Sequence, residues 1–264
     1  MSDVVLSGPR GRRSVLAYKA LVARRYWRTA VITGVVTPLL YVLALGVGLG
    51  VVVNRNGSQL GVPYLQFVAP AFLTAAALQI ATADAAFPVT AGFKWQRFYH
   101  GMAATPLSPR QICDGELTWI AIRALANSAL YLAIVAAVGG ARSGWIVLAV
   151  PVAVLTGMAF ATPVAAVAAT IEREGNFFNV LNRFVVTPMF LFSGTFYPID
   201  RLPEWGRVIA WITPLWHGTE LARAAGLGSG LSAWAAAGHV AYLLAWVVVG
   251  LVCARWRFRV RLTK

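Results

Sequence analysis

Between Trp145 and Ile171 the chain runs for 27 residues without an ionisable side chain. No other feature narrows the possible folds so far. About 20 consecutive apolar residues let a helix cross the hydrocarbon core of a bilayer, and a helix satisfies its own backbone hydrogen bonds there. Stretches of the same kind recur along the chain. Thr29 to Val53 lies between Arg28 and Arg55, and Val62 to Ala83 ends at Asp84. Leu117 to Gly140 carries only Arg123, and Phe177 to Tyr197 only Arg183. Ser232 to Ala254 holds no charge and one histidine, His239. The sequence therefore predicts an all-α integral membrane protein with six transmembrane helices, forming a single domain over residues 1–264.

Charge sets the expected orientation. The net charge is +14, yet only 12% of residues are charged and 59% are hydrophobic. A basic soluble protein would suggest nucleic acid, but here the basic residues fall in the loops of a membrane chain, and no nucleic-acid partner is expected. Of the 23 Lys and Arg residues, 16 fall on the side of the two termini and 5 on the opposite side, leaving Arg123 and Arg183 within spans. By the positive-inside rule both termini are cytoplasmic. Two cysteines, Cys113 and Cys253, have no metal-type spacing.

Three stretches depart from simple spanning. Residues 12–28, "RRSVLAYKALVARRYWR", place Leu16, Ala20, Ala23 and Trp27 among Lys19, Arg24 and Arg25. This predicts an amphipathic interface helix on the inner membrane face, with a basic extension of the first span as the alternative. The loop over 93–110 begins "FKWQRFYH" and continues to "TPLSP". Phe93, Lys94, Trp95, Arg97, Phe98 and His100 are expected on one helix facing the cytoplasm, closed by Gly101, Pro106 and Pro109. That helix suits either docking to a soluble partner or resting on the membrane surface. On the opposite side, residues 198–231 are too apolar for a free loop and too broken to cross. They predict two short helices in the outer leaflet, punctuated by Pro198, Pro203 and Pro214. Phe196, Tyr197, Pro198, Trp205, Trp211 and Trp216 are then candidates for an outer rim, tryptophan being favoured at interfacial depth.

Polar groups inside the spans need partners. An intramembrane charge costs at least about 2.5 kcal/mol, so Asp84 and Arg123, at similar depths, are expected either to pair or, for Arg123, to snorkel. Asn176, Asn179, Asn182 and Arg183 fall near one face of the fifth span. They line a translocation path or make hydrogen bonds between helices. His100, His217 and His239 lie on different elements and are expected at different depths, so no catalytic set and no metal site is predicted. No GxxxxGK[ST] phosphate loop occurs, so the chain has no nucleotide site of that kind.

At this point a family resemblance can be stated. "TPLLYVLALGVGLG", "YLQFVAPAFL", "MAATPLSPRQICDGEL" and above all "FLFSGTFYPIDRLPEWGRVIAWITPLWHGTELAR" resemble the permease subunits of type-2 ABC exporters. Within them the chain is most similar to the branch of nodulation-factor (lipo-oligosaccharide) and daunorubicin-type drug exporters. The resemblance implies a six-span permease in a bacterial inner membrane that moves a lipid-linked glycan, a glycolipid or a hydrophobic drug-like molecule outward. It implies a separate ABC ATPase in two copies, holding the ATP and Mg, a second permease chain of the same or a paralogous kind, and no cofactor on this chain. It makes the helix around Lys94 to His100 the coupling helix. An ion-coupled secondary transporter is the alternative from another class, although no internal repeat is visible. A membrane-embedded glycan or lipid transferase would need clustered acids or histidines, which are missing.

Overall fold

The computed structural model describes residues 8–26, 28, 40, 42–55, 61–171, 176–228 and 230–263. Helix α1 is Gly8–Arg25. A π-helical stretch, Val42–Leu49, leads into α2, Gly50–Arg55. Then follow α3 (Tyr64–Lys94), α4 (Phe98–Ala103) and α5 (Pro109–Ala137). A 3₁₀ turn, Gly144–Leu148, opens α6 (Ala149–Ala168). Helix α7 covers Phe177–Phe192 with a π segment at Asn182–Val186. Two shorter helices, α8 (Glu204–Ile212) and α9 (Pro214–Leu227), precede α10 (Ala233–Leu262). Among the described residues there is no strand.

Helix α3 is the centre of the bundle, with α5, α6 and α9 packed around it. Lipid is as apolar as leucine, so close fit rather than escape from water drives these contacts. Small residues supply the fit. Ala81, Ala85, Ala161 and Ala165 are fully buried. At Gly157 on α6 an added Cβ would stand 2.9 Å from the Ala77 carbonyl oxygen, so only glycine lets α6 approach α3 this closely. Pro70 and Pro88 lie inside α3; each withholds a backbone donor, which membrane helices tolerate when neighbours compensate.

Four helices among the described residues are long and apolar enough to cross a membrane: α3, α5, Gly144–Ala168 and α10. Six spans are expected from the sequence. Of the 25 residues of the first, 12 lie outside those described. The fifth is shorter than expected, because α7 stops at Phe192 rather than Tyr197. Its 16 residues reach about 24 Å at 1.5 Å each, less than the roughly 30 Å of a hydrocarbon core. Ser193 and Gly194 end it: Gly194 adopts φ +75°, and the Ser193 hydroxyl turns to Thr195 at 2.7 Å. Several helices also run past the expected span ends. Helix α3 continues 10 residues beyond Asp84, and α10 carries Arg255, Arg257, Arg259 and Arg261 in regular helix.

The prolines and short polar side chains account for the starts. Pro203 caps α8 and Pro214 occupies the first turn of α9, where a missing N–H costs nothing. Pro109 opens α5 rather than closing the preceding helix. It is preceded by a capping box in which Ser108 Oγ accepts from the Gln111 N–H at 3.3 Å and Gln111 Oε1 accepts from the Ser108 N–H at 2.8 Å.

Candidate functional site

One end of the bundle gathers α1, α4, the start of α5, the end of α3 and the end of α10. This is the basic end. Helix α1 lies along α5 through Gly11, Val15 and Lys19, a seam at four-residue spacing. Gly11 stands against Gln111, and Val15 sits so close to Gly115 that a Cβ there would meet its side chain at 2.6 Å. Lys19 donates to Glu116, with Nζ at 2.6 Å from Oε2 and 2.8 Å from Oε1. Of the apolar stripe expected on the membrane face, Leu16 and Ala23 are half-buried, Ala20 is exposed, and Trp27 lies outside the described residues. Fit to Gly115 and charge on Glu116, rather than hydrophobicity, select the buried side. The helix also starts at Gly8 and ends at Arg25, ahead of the expected 12–28. Away from the seam Tyr18 and Leu21 are exposed among the arginines, as on a membrane-surface helix.

The loop is broken where one helix is expected. Phe93 and Lys94 are the last residues of α3. Arg97 then takes a left-handed φ of 51°, and α4 starts afresh at Phe98. A non-glycine residue in that region carries about 1–2 kcal/mol of strain, which the flanking helices impose. The break divides the six expected docking residues. Phe93 is 2% exposed. It packs on Tyr99 and Phe258 with ring centroids 4.7 and 4.8 Å away, and the Arg261 guanidinium stands 4.7 Å from its ring. It is a core residue. Phe98 and His100 are half-buried, and Lys19 lies 4.9 Å from the Phe98 ring centroid. Trp95 and Arg97 are exposed, and Lys94 stands over the Trp95 ring at 5.3 Å. Tyr99, which the sequence does not single out, is fully buried. Burial, reinforced by the Glu116 charge, pushes its phenol well above the ordinary range.

Further ion pairs tie this end together. Arg123 Nη1 donates to Asp84 Oδ1 at 2.6 Å, joining α5 to α3. Arg255 holds Asp114 in a two-point contact, Nε to Oδ1 at 2.6 Å and Nη2 to Oδ2 at 3.0 Å, joining α10 to α5. Arg261 donates to the Ala169 carbonyl beyond α6 at 2.7 Å. Asp114, Glu116 and Arg255 are not singled out from the sequence as site residues. Their signal is weak, because charges flanking an apolar run are ordinary.

Two clefts border α7. Asn176, Asn179, Asn182 and Arg183 are exposed and line an open groove of about 550 Å³ with Val180, Phe184 and Thr187. A second cleft of about 410 Å³ separates α7 from α3. It sets Asn179 and Asn182 opposite Gln79 and Thr82, with Phe87 and Phe178 as apolar walls. Gln79 and Thr82 stand three residues apart in an apolar run, which is the signal the sequence offers for them.

The far end is organised differently. Arg223 of α9 is 8% exposed. It donates to the Gly194 carbonyl at 2.7 Å and to Glu220 at 2.9 Å, and it stands 4.0 Å from the Phe67 ring. Phe196, an expected rim residue, is half-buried and packs edge-on against Phe72 and Phe190 at 5.3 and 5.0 Å. Trp205 and Trp211 are exposed; Tyr197, Pro198 and Trp216 are half-buried. His217 and His239 are not at different depths: their Nδ1 atoms are 2.8 Å apart. His217 Nε2 lies 2.9 Å from the Trp211 carbonyl oxygen, which can only accept. His217 therefore carries its proton on Nε2, and its Nδ1 accepts from His239. Among the described residues no group of three or more His, Cys, Asp and Glu side chains is placed to hold a metal ion.

Residues 14–227 match the family model described as ABC-2 type transporter. Among curated proteins, the chain is 31% identical over 256 residues to Nodulation protein J of Rhizobium leguminosarum bv. viciae, covering 96% of this chain and 93% of the relative. It is 31% identical over 223 residues to Nodulation protein J of Rhizobium meliloti (strain 1021), covering 83% and 80%. It is 28% identical over 254 residues to the protein of the same name from Bradyrhizobium diazoefficiens, covering 96% and 92%. No solved structure matches the chain.

Proposed function

The chain belongs to the ABC-2 type transporter family, and on that premise we propose that it is the permease subunit of a bacterial inner-membrane exporter driven at its basic end. The family makes it a multi-pass membrane subunit that works with an ABC ATPase. The observation that carries the finer reading is the Lys19–Glu116 pair beside Phe98 and Tyr99. It bolts an amphipathic helix and a loop helix to a long apolar helix, while Trp95 and Arg97 next to it stay exposed. A push on that surface is transmitted to α5 through a buried ion pair, and to α3 because Phe93 and Tyr99 share one core.

In this account both termini and the basic end are cytoplasmic. Residues 1–264 act as one transmembrane domain. Two ATPase copies, carrying ATP and Mg, dock on Trp95, Arg97 and the exposed side of α4. A second permease chain, identical or paralogous, completes the pore. Asn176, Asn179, Asn182 and Arg183 face the path; a polar face on a membrane helix does not rest against lipid. The mixed walls of the cleft between α3 and α7 suit an amphiphile, in keeping with a lipid-linked glycan, a glycolipid or a hydrophobic drug-like molecule. Helices α8 and α9 lie in the outer leaflet, with Tyr197, Pro198, Trp205, Trp211 and Trp216 at the exit.

Co-purification in mild detergent with the ATPase expressed alongside tests this. Wild type is expected to retain the ATPase, and a Trp95→Ala, Arg97→Glu double variant, folded as judged by its elution profile, is expected to lose it. Absence of ATPase from well-folded wild type would overturn the proposal.

A further inference from the structure

Four charged side chains converge where α1, α3 and α5 meet, and the export account uses only two of them. A cavity of about 230 Å³ opens between the three helices. Lys19, Asp84, Glu116 and Arg123 line it, with Tyr26 and Trp119 as aromatic walls. The charges sum to zero, and each cation is paired: Lys19 with Glu116, Arg123 with Asp84. The pairs are not equally closed. The Glu116 side chain is 2% exposed and that of Lys19 12%, whereas that of Arg123 is 37% exposed. A guanidinium has five N–H donors, and the contact with Asp84 uses one of them.

The depth of the cavity is marked by the sequence. The charge-free run of α3 ends at Ala83, one residue before Asp84, and the apolar run of α5, which carries only Arg123, begins at Leu117, one residue after Glu116. The cavity therefore sits where two spanning helices pass from hydrocarbon to headgroup. Val22, an exposed apolar side chain of α1, stands at its rim.

We propose that this cavity seats the headgroup of one zwitterionic phospholipid of the ethanolamine type. Its phosphate is held by the free donors of Arg123, the geometry a guanidinium is built to offer. Its ammonium rests against the faces of Trp119 and Tyr26, as cations do on aromatic rings, within reach of the field of Asp84 and Glu116. Zero net charge is what selects the zwitterion: an anionic headgroup would bring a negative charge that nothing in the cavity balances. The lipid is a wedge between α1 and the bundle rather than cargo, since the cavity lies apart from the clefts along α7. The inference needs α3 and α5 to span a bilayer and is independent of which substrate is exported.

The test is native mass spectrometry of the full chain extracted into mild detergent and exchanged against equal amounts of phosphatidylethanolamine and phosphatidylglycerol. Wild type is expected to keep one phosphatidylethanolamine per chain, preferred over phosphatidylglycerol by about tenfold. Val22→Trp, which fills the mouth and leaves both ion pairs in place, is expected to lose that lipid and the rise in unfolding temperature it confers. Trp119→Leu carries the same test if Val22→Trp does not fold. Equal or stronger retention of phosphatidylglycerol would overturn the proposal. So would no retained lipid in wild type, or unchanged retention in whichever variant folds.

Discussion

The two ends of this molecule are fastened by different chemistry. At the basic end, Lys19–Glu116, Arg123–Asp84 and Arg255–Asp114 each link two different helices, at 2.6 Å in every case. At the far end one buried cation, Arg223, reaches a backbone carbonyl and a glutamate on its own helix. The rest of that end is aromatic packing around Phe72, Phe190 and Phe196 and a hydrogen-bonded pair of histidines. Ion pairs between helices have one good geometry and resist sliding. Ring packing has several of similar energy, and a loop held by one arginine can be released as a unit. The difference teaches that the basic end is made to move as a body, and the far end to rearrange.

Breaking the comparison at its strongest point should cost most. Glu116→Ala leaves Lys19 unpaired in a site where its side chain is 12% exposed. Removing one partner of a buried pair costs about 3–5 kcal/mol. Thermal unfolding in detergent should show a large loss, and the apolar double variant Lys19→Met, Glu116→Leu should recover most of it without restoring transport. Arg223→Ala comes next. Its charge-assisted hydrogen bonds are worth about 1.5–3 kcal/mol, and the damage should stay local: limited proteolysis is expected to speed up around Gly194 and not in α1. Asp84→Asn is milder, about 1 kcal/mol or less, because solvent reaches Arg123 and weakens what the pair contributes. The swap Asp84→Arg with Arg123→Asp should recover the loss if the contact is pairwise. Smallest is Trp95→Ala with Arg97→Glu. Surface changes of this kind stay within about 0.5 kcal/mol, so the unfolding temperature should hardly move while ATPase retention is lost.

Much of the fold is legible in the sequence, because a charge-free run of span length has few destinations. Asp84 and Arg123 stand out for the same reason: each interrupts or closes such a run, and the structure has them in contact. The α1 seam is not legible, since it depends on Gly115, and a glycine invites close approach without saying by what. The break at Arg97 is equally hidden, because arginine is not a residue that advertises a left-handed turn. Missing the break carries Phe93 and Tyr99 with it, two aromatic residues that a continuous surface helix would expose and that the broken one buries. His217 and His239 are 22 residues apart on separate helices, and only the packing of α9 on α10 brings them together. The burial of Arg223 has a faint signal in Glu220 one turn before it.

The most direct test of the two-ended account is pulsed electron–electron resonance on the permease–ATPase complex in nanodiscs. With Cys253 replaced by serine, nitroxide pairs would be placed at the exposed positions Arg12 on α1 and Arg257 on α10, and at Arg12 and Trp205 on α8. Between nucleotide-free and ATP-trapped states, the account predicts an unchanged, narrow distance for Arg12–Arg257 and a shifted one for Arg12–Trp205. A shift within the basic end with the distance to α8 unchanged would contradict it.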